Sequence, residues 1–96
     1  MSPLLERITH AVEESTGFPV KHRKQVFVSE GAHGKTLWEG AVEVFDVDSP
    51  VPGRAYGWAV EGEHGPQFVT ILGRAAVDTP LAAVRVWLAC QVRKSG

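Results

Sequence analysis

Cysteine is almost missing from this chain, with Cys90 the single one in 96 residues. One thiol excludes an internal disulfide and any metal site built on a cysteine pair, so a reducing setting, the cytoplasm, is expected. An apolar run of about 18 residues is missing too, so no membrane-spanning helix and no membrane partner are expected. The start Met1-Ser2-Pro3-Leu4-Leu5-Glu6-Arg7 lacks the basic opening and apolar centre of a secretory signal. An excess of one charge is lacking as well. Ten Lys and Arg against eleven Asp and Glu leave −1, which provides little global attraction for nucleic acid or anionic lipid. There is no Gly-x-Ser-x-Gly, no phosphate-binding glycine loop, no dinucleotide fingerprint and no pair of histidines spaced along a helix. No catalytic residue, metal or cofactor is therefore assigned, and the expected role is non-catalytic.

What the chain does have is a run of strands. Leu37 to Val47, Arg54 to Glu61 and Gln67 to Gly73 read as three consecutive ones. The middle strand alternates Tyr56, Trp58 and Val60 with Ala55, Gly57 and Ala59, the period-two signature of a pleated strand. Turn-forming residues separate them, Asp48 to Gly53 and Gly62 to Pro66. A further strand, Gln25 to Glu30, precedes them, and Glu30-Gly31-Ala32-His33-Gly34-Lys35 reads as the hairpin loop that leads into the strand at Leu37.

Helices flank this meander. Ser2 caps the first, Pro3 opens it, and Gly17 with Pro19 ends it. Leu5, Ile8 and Val12 form its apolar stripe, and His10 faces only exposed glutamates. The second starts at Thr79-Pro80 and runs to about Arg93, with Leu81, Val84, Leu88 and Val92 as its core stripe. Arg93 and Lys94 suit the negative end of its dipole. Its far side is also apolar, with Ala82, Ala83, Val86, Ala89 and Cys90. Either this helix is sunk between the sheet and the first helix, or its alanine flank receives a second chain. Cys90 is expected to be a buried packing thiol.

The fold expected is α+β and two-layered: α-β-β-β-β-α over a single domain, residues 1–96, with a four-stranded antiparallel meander and both helices on one face. If the helices cover the Tyr56 and Trp58 face, the other face is left open with Phe45 and Phe68. Candidate interface residues are thus Ala82, Val86, Ala89, Phe45 and Phe68. Lys21, His22, Arg23 and Lys24, the one basic cluster, are candidate phosphate contacts; the plainer reading is a solvated linker. His33 and His64 sit in glycine-flanked loops that strand parity brings to one end of the sheet, near Lys35, Glu30 and Glu63. Two imidazoles and a carboxylate can hold zinc, whereas two exposed loop histidines need no role at all.

The stretch Gln25 to Val44 resembles the double-stranded-RNA-binding domain. Gly31-Ala32-His33 stands where that family has a Gly-Pro-x-His loop, and Trp38, Val42 and Val44 follow as an aromatic-led strand. The resemblance covers about the first half of the chain and implies a helix–strands–helix topology. The family's lysine-rich start of the last helix corresponds here to Asp78-Thr79-Pro80-Leu81-Ala82-Ala83, which is acidic or apolar. The chain also looks like small bacterial α+β proteins. The sequence reading is a small binding or protein-interaction domain, with an unknown protein or a second copy as partner. A duplex-RNA module and a weak metal site or metal-dependent hydrolase stand as alternatives.

Overall fold

The structure, a computed structural model, describes residues 2–50 and 53–95, and side chains as far as residue 91. Helix α1 spans Pro3–Thr16. Its start is fixed by Ser2, whose Oγ accepts the Leu5 N–H at 3.1 Å, and its end by Gly17 at φ 76°, whose N–H reaches the Glu13 carbonyl at 2.8 Å. Four strands follow, β1 Val20–Ala32, β2 Lys35–Val47, β3 Gly53–Gly62 and β4 Gly65–Leu72, and then helix α2, Pro80–Ser95. The sheet order is β1-β2-β3-β4, every neighbour antiparallel. Thr79 Oγ1 accepts the Ala82 N–H at 3.1 Å and caps α2 as its position before Pro80 implies. Val92, expected in the core stripe, and Arg93 and Lys94, expected to answer the helix dipole, have side chains outside the described residues.

Two elements differ from expectation in extent. The first strand begins at Val20 rather than Gln25, so the basic run Lys21 to Lys24 lies in β1 and is no linker. Its partner is the last part of β2, where Lys21 pairs with Asp46 across the ladder. The first hairpin turns in only two residues, His33 at φ 54° and Gly34 at φ 78°. Positive φ at both positions is the turn whose twist matches that of antiparallel strands.

The helices do not share a face. Along β2 and β3, Val42, Val44, Tyr56 and Trp58 belong to one buried cluster with Val84 of α2. The alternate residues Phe45 and Ala55 belong to another, with Ile8 and Val12 of α1. Successive side chains of a strand point to opposite faces, so α1 and α2 cover opposite sides and the molecule has three layers. The physical reason lies in the small side chains of β3. Ala55, Gly57 and Ala59 form a seat on which α1 rests, and a Cβ at Gly57 would stand 2.7 Å from Val12 Cγ2 and 3.0 Å from Ile8 Cγ2. Central strands apolar on both sides are strands buried on both sides.

This arrangement corrects three expectations. Phe45 and Phe68 are not on an open face. Phe45 is fully buried under α1, and Phe68 is half-buried with the Arg7 guanidinium 5.0 Å from its ring centre. Helix α2 is not sunk between sheet and α1, because α1 is on the other side. Cys90 is consequently exposed rather than buried, on the flank that faces water together with Val86 and Ala89. Ala83, in contrast, has joined the core, and Ala82 is half-buried against it.

The β2–β3 ladder is short, running only from Glu43↔Gly57 to Val47↔Gly53. Beyond it the two hairpins part. The Trp38 indole fills part of that space on the α2 side, lying over Gly40, where a Cβ would be 2.9 Å from Trp38 Cζ2. Its ring centre is 5.9 Å from that of Trp58 and 6.1 Å from that of Trp87, and those two are 5.9 Å apart. Tilted and edge-on aromatic packing of this kind ties α2 to the parted strands.

Candidate functional site

The residues with chemistry to offer gather where β1 is irregular. His22 pairs with Phe45 and Lys24 with Val44, so Arg23 is an extra residue, a β-bulge. Without the bulge, Lys21 and Arg23 would share one face and His22 and Lys24 the other. With it, Lys24 turns to the α2 side along with Lys21, and Arg23 reaches Asp46 on that side at 3.4 Å. Arg54, opposite Asp46 on β3, joins them. Together with Val44 these side chains line a concavity of about 310 Å³. Among the described residues only Arg23 has an acidic partner there, and no ion pair involves Lys21, Lys24 or Arg54.

His22 belongs to a different structure. Although it is among the residues that line the concavity, its ring lies on the α1 side. There it meets Phe45 edge-on at 5.4 Å and its Nε2 lies 2.8 Å from Glu43 Oε1. The Gln25 side-chain N–H donates to Glu43 Oε2 at 2.7 Å. Glu43 is buried, and a buried carboxylate is tolerated when both oxygens are hydrogen-bonded. His22 is thus a partner of Glu43 rather than a phosphate contact. The clue in the sequence is Glu43 itself, a charge set between Ala41 and Phe45 on a strand face that is otherwise apolar.

His33 and His64 do stand at the tips of the two hairpins at one end of the sheet, as strand parity requires. The hairpins part before reaching those tips, and among the described residues no three metal-ligating side chains come together. Glu30, one expected neighbour, is engaged elsewhere by Arg85 of α2. That hydrogen bond holds the Glu30 carboxyl below the usual carboxylate range, against a smaller upward push from burial. Lys35 is exposed at the base of the first turn. His10 pairs with Glu14 at 2.9 Å, with both side chains largely in water.

Apolar surface is exposed at Phe27 (70 %), Leu37 (56 %) and Leu4 (47 %). Phe27 lies on the α1 side of β1, opposite Ala41, beyond the area that α1 covers. Leu37 is the extra residue of a second bulge, where Glu30 pairs with Trp38 and Gly31 with Thr36. Between the two bulges, Lys24 to Glu30 is a regular seven-residue run on the free edge of the sheet, and Phe27 is its midpoint. Neither Phe27 nor Arg54 was singled out from the sequence, because exposure and cross-strand neighbours are properties of the assembled sheet. No helix among the described residues is long and apolar enough to cross a membrane. Compared with protein families, curated proteins and solved structures, the chain finds no match.

Proposed function

We propose that the chain is a small non-catalytic interaction domain whose partner is a second copy of itself, joined edge to edge along β1. The observation that carries this reading is Phe27, a large apolar side chain 70 % exposed at the centre of the regular run on the free edge. A two-fold axis through Phe27 makes that run self-complementary. Phe27 meets its own copy, Val26 meets Val28, Gln25 meets Ser29, and Lys24 meets Glu30. Such pairing satisfies the open row of backbone donors and acceptors and removes apolar surface from water. The other edge is guarded by Pro66, which has no N–H to offer, and a proline on an edge strand discourages pairing.

Sedimentation or light scattering over a concentration series tests the reading. A dimer that Phe27→Asp converts to monomer supports it. A chain that stays monomeric to about millimolar concentration, the weak end of specific association, sinks it. So does a dimer that Phe27→Asp leaves intact and Ala89→Glu disrupts, since that places the contact on the exposed flank of α2.

A further inference from the structure

We infer that the basic concavity beside the first bulge binds a phosphorylated small molecule. The inference uses the α2 side of the sheet and shares only Lys24 with the edge pairing; Lys21, Arg23 and Arg54 lie outside the paired run. Three observations carry it. The bulge overrides strand alternation and places Lys21, Arg23 and Lys24 on one face, where Arg54 meets them from β3. Among the described residues, Asp46 is the sole acidic partner in the cluster, so Lys21, Lys24 and Arg54 are positive charges without counter-charges in a chain of net charge −1. The cluster surrounds a hollow of about 310 Å³ with Val44, itself buried, among its lining residues.

Like charges gathered this closely repel one another, and an anion seated among them relieves the repulsion. Phosphate is the anion that fits this donor set. The Arg54 guanidinium offers a planar fork to two oxygens, and the two ammonium groups supply point charges to the third. The hollow is at the lower end of small-molecule pockets, large enough for a phosphate and part of the group that carries it. Convergence on one hollow also argues for a compact ligand rather than a nucleic-acid strand. A strand is held by cations strung along a track, and the opposite end of this face is occupied by α2, with Trp87 on Trp38 and Arg85 on Glu30.

The test is a titration of the isotope-labelled chain with pyrophosphate and with ATP at constant ionic strength, with sodium chloride as control. Saturable amide shifts confined to residues 21–24, 44 and 54 are expected. Lys24→Gln and Arg54→Gln, both at exposed positions, should each weaken binding about tenfold, the loss of one charge-assisted hydrogen bond. Circular dichroism of the variants checks that the fold is kept. Shifts that chloride reproduces equally, or that neither substitution weakens, would overturn the inference. Binding of duplex RNA with a steep salt dependence and no response to ATP would overturn it too, and would make the cluster a nucleic-acid surface.

Discussion

Replacing Gly57 by alanine is the sharpest probe of the three-layer arrangement. The added Cβ would lie 2.7 Å from Val12 Cγ2, 3.0 Å from Ile8 Cγ2 and 3.5 Å from Phe45 Cε2. Carbon atoms in contact prefer about 3.5–4.0 Å, so the nearest methyl must retreat by roughly 1 Å. Val12 is β-branched with a stiff χ1 and is fully buried, so the helix must move as a body. Overpacking of this kind costs about 1–3 kcal/mol, and removing a strand glycine returns about 0.5–1 kcal/mol. The net expectation is a loss of about 1–2 kcal/mol, or about 4–16 °C in melting temperature. Urea unfolding followed by tryptophan fluorescence measures it as a lower midpoint at unchanged slope. Combining Gly57→Ala with Val12→Ala opens room for the new methyl. The double variant should therefore lose less than the two singles added, with a coupling of about 0.5–2 kcal/mol. Were both helices on the α2 side, the new Cβ would meet water and the substitution would be neutral or stabilising. That result, or a coupling of zero, refutes the reasoning.

Three further outcomes are expected. Tyr56 Oη is buried with no hydrogen-bond partner among the described residues, so Tyr56→Phe should raise stability by about 1 kcal/mol; a loss of that size would show that the hydroxyl has a partner in the folded chain. His22→Leu leaves one oxygen of buried Glu43 unpaired and should cost about 1–3 kcal/mol, whereas His22→Leu with Glu43→Leu should recover most of it, both read from urea midpoints. Glu30 titrates lower in the folded chain than in the unfolded one because Arg85 hydrogen-bonds its carboxylate. Its contribution is therefore complete above the unfolded pKa and is lost as pH falls through the folded one, so Glu30→Gln should flatten the acid limb of stability against pH. An unchanged acid limb would show that the pair contributes nothing.

Much of the architecture was legible residue by residue. Ser2-Pro3 and Thr79-Pro80 open helices where the sequence places them, and Gly17 closes the first in a left-handed turn. The alternation from Ala55 to Val60 and the turn residues around it yield an antiparallel meander in chain order. These features are local. Each depends on a few neighbouring residues whose backbone preferences agree, so they can be read without knowing what lies across the sheet.

The choice of faces was not local. Ala55, Gly57 and Ala59 read equally as an open side or as the seat of a helix, and only the approach of Ile8 and Val12 to the bare Gly57 backbone distinguishes them. The bulge at Arg23 is likewise set by the pairing of β1 with β2, and it alone turns Lys24 toward Arg54 and leaves His22 facing Glu43. Chain-local preferences thus decided which segments are helices and strands and in what order they run. Packing between segments distant in sequence decided which side chains meet, because a one-residue offset in a strand carries every following side chain to the opposite face.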